Sequence, residues 1–264
     1  MSPAEPPSRT IYIPYMDDHS YIFAAAMRAN GVSAEGLPIS DEKSLELGRR
    51  YTSGKECLPS ITTTGDILKK VFSSDFNQDR SAFFMPSAKG PCRFGQYNKL
   101  HRMVLDLVGL KNVPMVVFDQ TEGYHQDLSK LGSTKFKRLV WRGIIMVDLM
   151  QKLSRQIRPY EVTKGETDRV YQSGLQKLQE LLEHRGNLKT FARDIRKQFD
   201  EVKVDTGRRK PKIGIIGEIY VRSHPFTNNQ LVVQLEKLGV ETALPPLEEW
   251  VDYIDHIRKE DYRQ

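Results

Sequence analysis

The sequence predicts an α/β protein with two Rossmann-like or flavodoxin-like three-layer units, whose sheets are mostly parallel, joined by a helical subdomain. Three observations predict this fold. Short β-type runs alternate with helical patterns over residues 10–132, and the alternation returns over residues 213–264. Between them, residues 133–204 show only long helical periodicity. Residues 205–212 combine charge with Gly and Pro and are predicted to be a linker, and the Pro-rich residues 1–9 are predicted to be a flexible lead.

The first α/β region begins with the β-type run Thr10–Tyr15, and Asp18 or Ser20 is expected to cap the next helix, which ends at Ala29. The further elements expected here are a short strand before Gly36, helix Asp41–Tyr51, a helix after Cys57, strand Ala82–Met85, a helix after Cys92 and buried strand Val113–Phe118. Parallel sheets bind ligands at the carboxyl ends of their strands, so we expect both cysteines at that edge.

The helical subdomain is predicted to contain about three helices, broken by Arg158-Pro159 and by Arg185–Asn187. Their expected ranges are Phe136–Ile157, Tyr160–His184 and Leu188–Phe199. The last segment is predicted to contain a buried strand Ile213–Gly217, a loop to Phe226, helix Asn228–Leu238, strand Val240–Ala243 and helix Leu247–Arg258. Two strands bury little apolar surface, so this segment is expected to be incomplete or to pair with another segment.

Composition and charge limit the class of protein. No apolar run approaches the roughly 20 residues of a membrane-spanning helix, and the lead lacks the apolar core of a secretory signal. We therefore expect a cytoplasmic protein without membrane association. The chain has two cysteines, too few for a disulfide framework, and a reducing compartment would keep them as thiols.

The net charge of +6 is concentrated in one region. Residues 135–212 contain 20 Lys plus Arg against 10 Asp plus Glu, so this segment alone carries +10. A basic helical surface can bind nucleic acid, a phosphorylated ligand or an acidic protein. A solvated helical face is the simpler interpretation, and we do not expect nucleic acid as the main partner.

Both cysteines are predicted to lie directly before helices. Cys92 follows Gly90-Pro91 after an apolar strand, and Cys57 precedes Pro59, which suits a first helical turn. Unpaired N–H groups and the helix dipole at such a position favour a thiolate, which is both a nucleophile and a metal ligand. Considered alone, two cysteines 35 positions apart are most often structural, but their shared setting favours chemistry. Backbone N–H groups there would also donate to the sulfides of an iron–sulfur cluster.

Other catalytic patterns are absent from the sequence. The run Ile213–Gly217 lacks the Lys-Ser/Thr of a phosphate-binding loop and the full glycine order of a dinucleotide fingerprint. The six histidines form neither an H-x-x-E nor an H-E-x-x-H array, which argues against a mononuclear zinc enzyme. We therefore assign no catalytic residue from the sequence.

Four motifs follow one another along the chain: Gly54–Ser60 (GKECLPS) with Thr64-Gly65, Gly90–Tyr97 (GPCRFGQY), Gly217–Arg222 (GEIYVR) with Pro225–Asn228 (PFTN), and Pro245-Pro246 with Glu249-Trp250. In this order they resemble the acyl-CoA dehydratase activase-related family, which is similar to the cluster-carrying subunits of 2-hydroxyacyl-CoA dehydratases and to double-cubane cluster proteins. The resemblance spans nearly the whole chain, from Ile11 to Tyr253.

The resemblance implies an oxygen-sensitive iron–sulfur cluster, of the 4Fe-4S or double-cubane type, in anaerobic metabolism. It also implies a separate ATP-hydrolysing activator that supplies a low-potential electron. Cys57 and Cys92 match cluster cysteines. The matched motifs supply six candidate cofactor-binding residues: Lys55, Arg93, Gln96, Glu218, Arg222 and Asn228. Of these, Glu218, Arg222 and Asn228 match a loop facing the cluster region, and Lys55, Arg93 and Arg222 would compensate the cluster's negative charge.

The chain departs from this family in two respects. Relatives usually supply a third cysteine, which this chain lacks, so a cluster would be incompletely ligated by this chain alone. It also lacks the Gly-rich nucleotide motif of the activator, so ATP hydrolysis is not expected here. The leading hypothesis is an iron–sulfur component of an acyl-CoA dehydratase or ATP-dependent reductase, working with the activator and with a second cluster-bearing subunit or a second copy. The alternatives are a non-catalytic scaffold without a complete cluster, and a phosphate-ligand or nucleic-acid-binding protein using the basic helices.

Overall fold

A computed structural model describes residues 9–87, 92–117, 131, 133–207 and 209–261. The chain divides into two compact units, Met1–Lys137 and Arg138–Gln264. Several sequence expectations fall outside the described residues: most of the N-terminal lead, the Gly90-Pro91 turn, the end of the predicted strand at Phe118, and position 208 of the predicted linker.

The first unit alternates strands with helices, as the sequence predicts. Its strands are β1 (Thr10–Ile13), β2 (Ala34–Gly36), β3 (Ser81–Phe84) and β4 (Met115–Val116). Its helices are α1 (His19–Arg28), α2 (Glu42–Arg50), α3 (Leu58–Val71) and α4 (Tyr97–Leu107), and a 3₁₀ turn, Arg93–Gln96, precedes α4.

The sheet of the first unit is entirely parallel, in the order β2-β1-β3-β4. Alternate residues of β3 face opposite layers of helices. Phe84 stacks on Phe23 of α1, whereas Phe83 packs in one cluster with Ile67 of α3 and Leu105 of α4. The sheet therefore lies between α1 on one side and α3 with α4 on the other, which confirms the predicted three-layer α/β arrangement.

Helix α3 is buried on all sides although it is rich in hydroxyl groups. Every residue from Pro59 to Leu68 is buried. Each hydroxyl of the threonine triplet 62–64 donates to a carbonyl oxygen four residues earlier, at distances of 3.0, 2.7 and 2.7 Å. These bonds satisfy polar groups that would otherwise be costly to bury.

Two glycines bring α2 and α3 into close contact. A Cβ atom added at Gly65 would lie 1.6 Å from the carbonyl oxygen of Ser44, and one at Gly48 would lie 2.0 Å from that of Ile61. Because both obstructing atoms belong to backbone, no side-chain rotation can make room. The helices can adopt this spacing only with glycine at both positions.

The second unit contains the long helices and a small sheet. Its helices are α5 (Thr134–Ile157, beginning just before the unit), α6 (Glu166–Glu183), α7 (Leu188–Asp200), α8 (Ile219–Ser223), α9 (Leu231–Lys237) and α10 (Leu247–Asp261). Its strands, β5 (Lys212–Gly214) and β6 (Glu241–Ala243), pair in parallel. The buried Asp148 carboxylate of α5 accepts the N–H groups of Leu247 and Glu248, so it caps α10.

Two elements of the second unit differ from the sequence expectation. Helix α6 begins at Glu166 rather than at Tyr160, because Arg158–Tyr160 forms a 3₁₀ turn and Gly165, with φ 86°, starts the helix. The strand predicted as buried is exposed from Lys212 to Gly214, because in the part of the chain that the structure describes it has a neighbour, β6, on one side alone. Among the described residues, no helix is long and apolar enough to cross a membrane.

Candidate functional site

Cys57 is the N-cap residue of α3. Its backbone is extended, with φ −64° and ψ 144°, and its side chain makes no capping hydrogen bond. Pro59 occupies the first turn, as the sequence predicts, and has no N–H group to offer. The thiol is partly exposed. Its side chain is therefore not used to cap the helix.

Cys92 has the same position relative to the 3₁₀ turn before α4. It is the N-cap of Arg93–Gln96, its backbone is extended (φ −70°, ψ 129°), and its side chain makes no capping hydrogen bond. The thiol is exposed. Both cysteines thus precede helical turns, and each residue is at least partly exposed.

Side chains and backbone connect the two cysteine turns. The Arg93 guanidinium donates to the carbonyl oxygen of Lys55 across 3.0 Å. The hydroxyl of Ser87, just beyond the carboxyl end of β3, donates to the carbonyl oxygen of Gly95 across 3.5 Å. The Ser87 contact joins the chain just beyond β3 to the Cys92 turn, and the Arg93 contact joins the Cys92 turn to the Cys57 turn. Both turns therefore lie on the carboxyl side of β3, the edge at which parallel sheets bind ligands.

The side chains around the cysteine turns are largely exposed and carry both signs of charge. Lys55, Arg93 and Gln96 are exposed. Burial works against the Glu56 carboxylate, but the backbone N–H and the hydroxyl of Ser53 outweigh it and hold the pKa of Glu56 below its usual value. The two basic side chains can offset the charge of thiolates, whereas Glu56 adds one negative charge.

A buried polar group that the sequence analysis missed lies on the faces of α3 and α4 that contact each other. Thr63 Oγ1 is 3.2 Å from His101 Nε2, and His101 is fully buried. Burial disfavours the imidazolium and lowers the pKa of His101 to about 4, although a contact with the Ser60 backbone partly opposes this shift. The imidazole is therefore neutral near pH 7. This pair could not be predicted from the sequence, because Thr63 lies 38 residues from His101.

A second group missed from the sequence follows β1. The Asp17 carboxylate lies 3.5 Å from His19 Nδ1, both residues are largely buried, and Asp17 has a left-handed backbone with φ 78°. Tyr15 donates to Asp18 across 3.1 Å in the same loop. Burial and the Asp18 carboxylate raise the pKa of Tyr21 to about 12. Because β1 and β3 are neighbours, this loop and the cysteine turns leave the same edge of the sheet.

The remaining candidate residues belong to the second unit and hold its own loop. The Glu218 carboxylate accepts the N–H of Val221, which caps α8. Arg222 donates to the Pro245 carbonyl oxygen, and Asn228 donates to the Arg222 carbonyl oxygen and accepts the N–H of Leu231. Arg222 Nε is buried and makes no hydrogen bond with the described residues.

His224 is the centre of this loop, and the sequence analysis did not identify it. It is fully buried, its Nδ1 accepts the N–H of Phe226 across 3.2 Å, and its ring lies 4.9 Å from that of Tyr220. The loop from Glu218 to Asn228 is therefore ordered by contacts within itself.

Within the first unit, the Arg93–Lys55 hydrogen bond links the turn that contains Cys57 to the turn that contains Cys92. Across the ranges that the structure describes, no group of three or more His, Cys, Asp and Glu side chains has a metal-binding arrangement. The two thiols are candidate metal ligands, and the described residues provide no third ligand beside them.

The basic helices show a different pattern. On α7, Arg196 pairs with Asp200 and Lys197 with Glu201, and all four side chains are more than half exposed. Such neighbouring opposite charges favour a solvated surface over a concentrated site for phosphate.

Comparisons of the chain with protein-family models, with curated proteins and with solved structures found no match.

Proposed function

We propose that the protein is an iron–sulfur protein in which Cys57 and Cys92 are two thiolate ligands of one cluster. The hydrogen bond from Arg93 to the Lys55 carbonyl oxygen is the observation that carries this proposal. It joins two turns that each begin with an accessible cysteine at a helical N-cap. Two cysteines on connected turns support a shared site.

The chemistry of the donor set fits part of a cluster. Thiolates are the usual protein ligands of iron–sulfur clusters, and a bound cluster would carry single electrons at low potential. Free N–H groups at the start of α3 and of the turn Arg93–Gln96 are suited to donate to its sulfur atoms. Lys55 and Arg93 would offset its negative charge. The other ligands would come from a further segment, a second subunit, solvent or substrate.

The four ordered motifs of the sequence support a more specific proposal. They favour a component of an acyl-CoA dehydratase or of an ATP-dependent reductase, because they resemble motifs of the acyl-CoA dehydratase activase-related family. An ATP-hydrolysing activator would supply the electron, and a second cluster-bearing subunit or second copy of the chain would complete the site. Glu218, Arg222 and Asn228 are kept as candidate cofactor-binding residues of the second unit, where they order their own loop.

Anaerobic reconstitution tests the proposal. The full chain is purified without oxygen, incubated with iron and sulfide, desalted, and analysed for iron per chain and for its visible spectrum. Cys57→Ser and Cys92→Ser are compared with wild type. We expect brown wild-type protein and loss of most bound iron in each variant, because one remaining thiolate cannot hold the cluster.

Met103→Ser is the matched control. Met103 lies on α4, is 66% exposed, and is also a sulfur-containing residue. This variant should bind iron like wild type, and far-UV circular dichroism should show all four proteins equally folded. If wild type and both cysteine variants are equally colourless and equally folded, the cluster proposal fails for this chain and the scaffold hypothesis takes its place.

A further inference from the structure

Helices α3 and α4 contact each other through Thr63 and His101, which are 38 residues apart. Just before the two helices, Arg93 contacts Lys55 at the same separation. Leu105 packs in one cluster with Ile67, at the same separation. Both helices connect parallel strands, so they point the same way. The register therefore places Ser60 opposite Asn98, one helical turn from the Thr63–His101 contact.

Ser60 and Asn98 are both buried, with 2% and 3% of their surfaces exposed. Each lies three residues before a member of the Thr63–His101 pair, and residues three apart share a helix face. Ser60 Oγ and Asn98 Oδ1 are both buried without a hydrogen-bond partner among the described residues. Because each atom lacks a partner, the two atoms do not bond to each other.

Buried polar atoms in proteins rarely lack a partner, and where protein groups do not reach, an internal water usually does. We propose that an ordered internal water binds between the first turns of α3 and α4, donating to Asn98 Oδ1 and accepting from Ser60 Oγ. The site lies one turn inside the Cys57 N-cap. The water would connect the helix that begins at Cys57 with the helix that follows the Cys92 turn, and it does not depend on a bound cluster.

A crystal structure of the full chain at high resolution tests the site directly. We expect a density peak within hydrogen-bond distance of both Ser60 Oγ and Asn98 Oδ1. Absence of the peak, or a direct Ser60–Asn98 hydrogen bond in its place, would overturn the proposal.

A double-mutant cycle tests it in solution through amide hydrogen exchange of α3 and α4. Ser60→Ala and Asn98→Leu should each speed exchange by about fivefold, the loss expected for one buried hydrogen bond. The combined variant should be no faster than the faster single variant, because it leaves neither polar atom unpaired.

The matched control cycle joins Asn98→Leu with Ser20→Ala. Ser20 is also buried, but its hydroxyl bonds to the backbone of Met16 and Pro14 in the β1–α1 loop. In this control cycle the fold-increases in exchange rate of the two single variants should multiply in the double variant. If the fold-increases of Ser60→Ala and Asn98→Leu also multiply, Ser60 and Asn98 share no water.

Discussion

Asp66 carries its charge in the buried interface between α2 and α3. One carboxylate oxygen accepts from Ser40 across 2.7 Å, and the other oxygen is also buried. Burial raises the pKa of Asp66 to about 6, although the hydroxyls of Ser44 and Ser40 and the charge of Lys69 oppose the shift, while nearby Asp41 adds to it. In the unfolded chain the pKa of an aspartate is about 3.9. The folded state therefore binds the extra proton between these two values.

Stability of the first unit should fall as the pH rises from about 4 to about 6, because the proton that favours the folded state is lost. Asp66→Asn keeps an acceptor for Ser40 and removes this dependence. At pH 7 the variant should be more stable than wild type by about 1–3 kcal/mol. Hydrogen exchange of residues 58–71 between pH 4.5 and 7.5, corrected for intrinsic rates, measures the difference. A constant difference across this range would contradict the assignment.

Arg93 provides the direct connection between the two cysteine turns. Arg93→Ala should speed amide exchange in residues 53–57 by about fivefold, since a net hydrogen bond is worth about 1 kcal/mol. Arg80→Ala is the control, because Arg80 is exposed and makes no ion pair with the described residues. Equal exchange in the two variants would show that the Arg93 contact does not hold the Cys57 turn.

At the level of elements, the contact between α2 and α3 makes a sharp prediction. Replacing a helical glycine by alanine normally stabilises a helix by about 1 kcal/mol. Gly65→Ala should instead destabilise the first unit by about 3 kcal/mol or more, because the new Cβ meets the Ser44 carbonyl oxygen. The loss of stability is measured by urea denaturation, with amide hydrogen exchange in α2 and α3 as the readout.

Gly174→Ala on α6 is the matched control. Its added Cβ would meet the ends of the Ile195 and Met150 side chains, at 2.6 and 2.8 Å, and these can move. The variant should therefore lose much less stability in its own unit. If both substitutions lower the free energy of unfolding only slightly, α2 and α3 can move apart at little cost and the prediction for Gly65 is wrong.

Local patterns predicted the elements because the relevant forces are local. The capping residue Asp41, the Pro59 turn and the helical periodicity of α7 all act within a few residues, and the observed elements begin and end close to the expected positions. The full burial of α3 could not be predicted, because it depends on α2, α4 and the sheet. Its hydroxyl-rich sequence resembles an exposed helix until the bonds of its threonines are seen.

In the candidate site, too, local features could be predicted from the sequence and contacts that depend on the fold could not. The helical N-cap positions of Cys57 and Cys92 followed from nearby Pro and Gly residues. The Arg93–Lys55 bond and the His101–Thr63 pair did not, because their partners are 38 residues apart and spacing in the chain carries no signal for such contacts. Asp17 and His19 are only two residues apart, but their contact and their burial depend on how the loop after β1 folds.

At the level of the whole molecule, the two units can be tested separately. Both tryptophans, Trp141 and Trp250, belong to the second unit, so tryptophan fluorescence reports its unfolding. Arg158 lies in that unit and bonds to Glu236 at 2.6 and 3.0 Å and to Asp168 at 2.8 Å. The Glu236 side chain is only 7% exposed.

Arg158→Ala should destabilise the second unit by about 3 kcal/mol, because it leaves the Glu236 carboxylate buried and unpaired. Fluorescence-detected urea denaturation measures this loss. Arg196→Ala, which breaks an exposed pair with Asp200, should cost less than about 1 kcal/mol. Similar losses of unfolding free energy in Arg158→Ala and Arg196→Ala would contradict the prediction that the buried Arg158–Glu236 pair stabilises the unit more than the exposed Arg196–Asp200 pair.

Whether Cys57 and Cys92 form one site is tested by thiol alkylation of the anaerobically reconstituted protein, followed by peptide mass spectrometry. We expect iron and sulfide to protect both cysteines from alkylation together. Cys57→Ser should abolish the protection of Cys92, and Cys92→Ser should abolish the protection of Cys57. Protection of one cysteine that persists when the other is replaced would contradict this expectation.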